Sequence, residues 1–232
     1  MGTFRFPSGP CGCFLALLLV SPLPAAGWES VYDQGDLVVV RRAYHGSSLK
    51  EIRGITRLNA SLNAVMALLK DAGFNHRWVY RSGGARILEE SGYAQAYVYG
   101  VVDAPWPMSD RDTVVRFDYR QDAATREIHI RITNFPDFIP PKQGLVRVPD
   151  FGGFWHLRPL SDGRVEVTYQ VYGDPGGFIP IWAANHAAAL SVIRTLQNME
   201  SAVLRYRNAR SEFVRETGVT PYKKDKNSSS TH

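Results

Sequence analysis

Pro105-Trp106-Pro107-Met108-Ser109-Asp110-Arg111-Asp112 is a proline-stiffened loop that ends in a charged pair and runs into an alternating strand. In that strand Thr113, Val115, Phe117 and Tyr119 share one face, and Val114, Arg116 and Asp118 share the other. Glu127 to Ile132 and Arg164 to Val171 alternate just as strictly, which means antiparallel strands with one wet and one buried side. Ser161-Asp162-Gly163 between the last two strands reads as a hairpin turn. Residues 94–102 are apolar on both faces, so the period alone does not reveal their facing. Gly176-Gly177-Phe178-Ile179-Pro180 then makes a glycine-rich turn at the head of a long apolar helix.

Upstream, residues 37–44 and 51–58 read as two extended segments separated by His45-Gly46-Ser47-Ser48. A helix follows, with Ser61 near its start, Leu62, Val65, Met66 and Leu69 at helical spacing, and Gly73 closing it. Asn59-Ala60-Ser61 also has the form of a glycosylation sequon. Downstream, the final helix is expected over residues 179–210, roughly 45 Å long. Its apolar stripe is Ile181, Ala184, Ala188, Val192, Leu196, Met199 and Val203, widened by Trp182, Ala189 and Ile193. A long amphipathic helix after a run of antiparallel strands predicts an α+β fold, a curved sheet wrapped around one helix.

The chain has 232 residues, 44% hydrophobic and 21% charged, which suits one large domain with a sizeable core. Residues 1–27 have the order of a secretory signal peptide: Arg5, then the apolar run Phe14 to Val20, then small residues, with cleavage expected after Ala26 or Gly27. Export, to the periplasm or beyond the cell, is therefore expected. Both cysteines, Cys11 and Cys13, fall inside this segment, so the mature chain would have no thiol chemistry or disulfide. The net charge is +5, and loss of Arg5 leaves +4, too modest an excess for a nucleic-acid binder. Late cations from Arg205 to Lys226 form a solvated helix face or meet an anionic membrane. Residues 213–232 read as a polar, disordered tail behind a domain spanning 28–212.

Catalytic constellations are thin. The six histidines are never three to five residues apart, so no helical pair is available for zinc or iron. The paired glycines lack phosphate-loop spacing, and the dispersed aromatics suit core or cavity lining more than base stacking. Asp110, Arg111 and Asp112 read as structural ion pairs at a strand start. The loop Phe135 to Gly144 holds Phe138 and Ile139 between prolines. It is either packed back on the core or an apolar lip that meets a ligand or membrane.

Three segments together resemble the START (StAR-related lipid-transfer) domain family, in order and in spacing. They are Pro105 to Asp112; Gly153-Phe154-Trp155-His156-Leu157-Arg158-Pro159-Leu160; and Asp174-Pro175-Gly176-Gly177-Phe178-Ile179-Pro180-Ile181-Trp182. The resemblance runs from Trp28 to Arg210. It implies a helix-grip fold, in which about nine antiparallel strands and the C-terminal helix enclose an apolar tunnel for one lipid. It also implies a gate formed by an Ω loop at residues 136–144 and the helix head. No cofactor or metal is implied, and the expected partners are a lipid and, transiently, a membrane, with the protein a monomer. On this reading Val98, Thr113, Phe117, Tyr119, Ile130, Ile132, Tyr169, Ala188, Val192 and Leu196 line the tunnel. Phe138, Ile139 and Trp182 form the gate, while Arg111 and Asp112 brace the loop. Sterol-binding members carry a tunnel arginine six residues beyond the first arginine of the Arg-Asp pair, and here that place is Phe117, with Val98 near its acidic partner's place. A greasier tunnel that recognises shape is the consequence. The same scaffold hosts hydrolases and cyclases, so an enzyme with Tyr119 or Asp112 as acid or base is the alternative, and a ligand sensor is a third.

Overall fold

The strands form where the two-residue period put them. The computed structural model describes residues 27–44, 47–211 and 213–216; nearly all of the expected signal peptide, and the tail beyond 216, lie outside them. The order is β1 (Glu29–Gln34), β2 (Leu37–Ala43), β3 (Lys50–Leu58), α1 (Leu62–Lys70), β4 (Ser82–Ser91), β5 (Gln95–Val102), β6 (Arg111–Gln121), β7 (Ile128–Asn134), β8 (Val146–Arg147), β9 (Asp150–Pro159), β10 (Val165–Asp174) and α2 (Ile181–Ala202). Nine strands make one sheet in the order β1-β2-β3-β10-β9-β7-β6-β5-β4, antiparallel at every pairing. The short β8 pairs parallel with the start of β6. This is the expected α+β helix-grip architecture.

Alternation decides which side faces the helix. Val39, Ile52, Leu58, Val167 and Leu157 lie on the inner face and are buried with Val192, Leu196 and Met199 of α2. Gly54 permits this approach: a Cβ there would lie 2.4 Å from Leu196 Cδ1 and 2.7 Å from Val192 Cγ1. Any larger residue on β3 at this point would push α2 off the sheet.

Both helices depart from the sequence expectation at their ends. Ser61 does cap α1, its hydroxyl accepting the Ala64 N–H at 3.1 Å. Gly73 does not close it, because α1 stops at Lys70 and Asp71 caps a following 3-10 turn, Ala72–Arg77, by accepting the Phe74 N–H at 3.0 Å. Helix α2 starts two residues late, with Pro180 as its cap, and ends at Ala202 rather than near 210. There the chain tightens into a second 3-10 turn, Val203–Tyr206, whose Tyr206 hydroxyl donates to Asp71 Oδ2 at 2.6 Å. Burial and this bond push the Tyr206 phenol up to about 12. Val214 is buried in the core, and the Glu216 carboxylate accepts the Asn63 N–H at the head of α1.

Candidate binding cavity

The register assembles most of the expected lining. Phe117 of β6 stands opposite Ala96 of β5 and Ile132 of β7, and Tyr119 stands opposite Ile130. Ile130 faces Trp155 of β9, which in turn faces Tyr169 of β10 and stacks on it at 3.8 Å. Val98 and Thr113 occupy the same inner face nearer the start of β6, where Gly100, opposite Thr113, leaves room beside the threonine hydroxyl. Seven predicted residues therefore meet on one inner surface, whereas Val192 and Leu196, expected to line the tunnel with them, pack against β2 and β3.

Coverage of that surface is uneven. Tyr119, Ile130, Ile132, Val192 and Leu196 are buried, whereas Val98, Thr113, Phe117, Tyr169 and Ala188 stay half-buried. Helix α2 lies against β2 and β3, at the far side of the sheet from β5 and β6. The wall residues Ala96, Val98, Thr113, Val115, Phe117 and Ile132 are uncharged, and at their edge Glu90 of β4, opposite Ala96, forms an ion pair with Lys70 at 2.8 Å. Arg116 points to the outer face, where its Nε donates to Asp118 at 3.0 Å and its guanidinium lies over Phe135. The inner position is thus aromatic, with Ala96 rather than an acid opposite it.

Burial, helped by Glu90, raises the Tyr119 phenol above its ordinary value, and burial alone raises that of Tyr169. Asp112 is wholly buried, and both its oxygens are taken by Arg147, Nε to Oδ1 at 2.9 Å and Nη2 to Oδ2 at 3.0 Å. That rules Asp112 out as a free acid or base. Arg147 was not identified from the sequence, because its partner lies 35 positions away and only β8 brings them together.

The same arginine ties down the loop after β7, donating to the carbonyls of Pro136, Ile139 and Pro140. Here the gate expectation needs correcting. Phe138 stacks on Tyr97 at 4.2 Å, Phe135 meets Tyr97 edge-on, and Lys142 sits 4.1 Å over Tyr99. Tyr97 and Tyr99 face away from the inner wall, so Phe138 covers the outer side of β5 and does not line the cavity. Two exposed tyrosines would leave a large apolar patch, which the loop removes from water. This also explains why β5 is apolar on both faces. Ile139 is half-buried in the same loop and held by its carbonyl.

Exposed aromatics stand instead at the two loops beside the start of β6 and the head of α2. Trp106 is 92% exposed, Trp182 75%, and Phe178 fully. Trp106 belongs to the β5–β6 loop, and Phe178 and Trp182 to the β10–α2 junction; Gly177 places the two together, since a Cβ there would meet the Arg111 guanidinium at 3.7 Å. Arg111 itself donates to the Ser109 carbonyl and is buried. The Asn185 side chain clasps the β2–β3 loop, accepting from Lys50 N–H at 2.8 Å and donating to the Ser48 carbonyl at 3.1 Å. A cavity of about 340 Å³ opens between that loop and the helix head. Phe178 and Trp106 were missed as site residues, although each is a lone aromatic bracketed by glycine or proline.

No protein-family model matches the chain. The solved structure of the STAR-related lipid transfer protein from Xanthomonas axonopodis superposes with a TM-score of 0.71 at 34% identity, covering 77% of this chain and 99% of that one. An uncharacterized protein of Pseudomonas aeruginosa is 34% identical over 77% of this chain and 87% of its own length. The phosphatidylcholine transfer protein of Bos taurus is 28% identical over 80% of this chain and 88% of its own. With the helix-grip sheet, the three motif segments and a relative of this identity aligned over nearly its whole length, the chain belongs to the START family of lipid-transfer domains.

Proposed function

We propose that the protein is a non-enzymatic carrier that holds one lipid between the largely apolar inner wall and the first half of α2. The observation that carries this is the partly covered apolar wall at Val98, Thr113, Phe117 and Tyr169. Each methylene of an acyl chain moved from water to such a wall gains about 0.8 kcal/mol. The resemblance to a phosphatidylcholine transfer protein makes a phospholipid the first ligand class to test. Recognition rests on shape, since Phe117 replaces the charge of sterol-binding relatives.

Exchange takes place at the end where Trp106, Phe178 and Trp182 stand exposed, because aromatic rings partition into the membrane–water interface. Gly176 and Gly177, at φ 66° and 69°, supply the backbone freedom for the helix head to move. The gate is therefore this junction, and the loop at residues 136–144 stays closed on the outer face. The leader-like first 27 residues support action outside the cytoplasm as a monomeric carrier. Among the described residues no helix is long and apolar enough to cross a membrane.

Vesicle-to-vesicle transfer of a fluorescent phosphatidylcholine tests the reading. Phe178→Ser with Trp182→Ser should slow transfer at least tenfold while the purified protein still carries bound lipid. Unchanged transfer in that variant, or no transfer by the wild type with any phospholipid, would overturn it.

A further inference from the structure

The outer face of the sheet carries a second cluster, remote from the cavity wall. His129 of β7 and His156 of β9 stand directly opposite each other in the register. Their rings are parallel to within 9°, with centroids 4.2 Å apart. Both Nε2 atoms converge on one oxygen, Glu127 Oε2, at 3.0 Å from His156 and 3.9 Å from His129. The ligand atoms of all three residues lie within 4.8 Å of one another, and none is fully buried. A hydrogen bond to Glu127 requires only one imidazole. The second ring, turned towards the same oxygen, adds a nitrogen that such a bond does not explain.

Two imidazole nitrogens and one carboxylate oxygen form a ligand set suited to a borderline divalent cation, above all zinc. A tetrahedral zinc with bonds of about 2.0–2.1 Å holds its ligands about 3.3–3.4 Å apart. From the present spacing the ligand atoms must close by little over an ångström, and the two stacked rings must also turn so that each in-plane lone pair points at one ion; both are side-chain torsions on an accessible face. Glu127 and His129 sit two residues apart at the head of β7, and the sheet register supplies the third ligand. Helical spacing of histidines was thus the wrong test for this chain. Arg120 of β6, opposite His129, and Arg158 of β9, which acts on Glu127, are cations facing the cluster, and Asp122 is the further carboxylate near it. Thr168, opposite His156 on β10, adds no charge.

We propose that Glu127, His129 and His156 form a zinc site that ties β7 to β9 on the outer face, with its fourth position open to water or an external ligand. The proposal does not depend on the lipid reading. Full-length protein made without a polyhistidine tag, stripped with a chelator, is titrated with zinc chloride against a chromophoric competitor. Wild type should bind one equivalent. His129→Ala and His156→Ala should each weaken binding at least tenfold, and Glu127→Gln severalfold. His186→Ala, on an exposed position of α2, should bind as wild type does. Zinc should raise the melting temperature of wild type and His186→Ala but not of His129→Ala with His156→Ala, whose fold is checked by circular dichroism without metal. Absence of zinc binding by wild type, or wild-type affinity in either single histidine variant, would overturn the proposal.

Discussion

The two halves of α2 make opposite use of the same apolar stripe. In the C-terminal half, Val192, Leu196 and Met199 are almost wholly buried against Val39, Ile52 and the side-chain-free Gly54. In the N-terminal half, Ile181 is 50% exposed and Trp182 75%, and Ala188 only half covers the sheet. One half stabilises the fold through close packing. The other leaves small residues incompletely covered, and it is there that we propose the lipid lies. A continuous hydrophobic stripe in sequence therefore divides into a packed part and an incompletely covered part, and small side chains mark the boundary.

Substitutions in the two halves should separate stability from binding. Leu196→Ala should cost about 2–5 kcal/mol by urea unfolding, since it opens a cavity in the packed half. A loss below 1 kcal/mol would mean that this half is not core. Gly54→Ala should cost about 1–3 kcal/mol, because the added Cβ meets Leu196 and Val192 and has to move the helix. Phe138→Asp should lose the stack on Tyr97, about 0.5–1.5 kcal/mol, yet leave lipid transfer unchanged. A transfer defect there would return the loop at residues 136–144 to the gate.

The smallest effect belongs to Tyr206→Phe, at about 1 kcal/mol for one hydrogen bond to Asp71. Its pH dependence has a defined sign. The folded phenol is held at about 12, above the ordinary value of about 10, so the folded state favours the protonated form. That contribution is complete below pH 10 or so and is lost as pH rises through the folded value. Stability against alkali should fall less steeply in Tyr206→Phe than in wild type.

Much of the fold was legible because alternation and capping are local. The strands around Thr113–Tyr119, Glu127–Ile132 and Arg164–Val171, the hairpin at Asp162 and the Ser61 cap all follow from neighbouring residues. The site was legible where facing could be counted along one strand, as for Phe117 and Tyr119. What failed depends on contacts between distant segments. The clamp of Arg147 on Asp112, the seating of Phe138 on Tyr97 and the facing of β5 all require the loop after β7 to fold back. The pairing of His129 with His156 requires the β7–β9 register, which no periodicity encodes.

The central claim is that the first half of α2 faces bound lipid. Native mass spectrometry of protein purified from its own host, compared with Ala188→Trp, tests it most directly. The account predicts a co-purified lipid of fixed mass in wild type, and an empty Ala188→Trp variant whose urea unfolding midpoint is little changed. An empty wild type, or an Ala188→Trp variant that carries the same lipid, would contradict it.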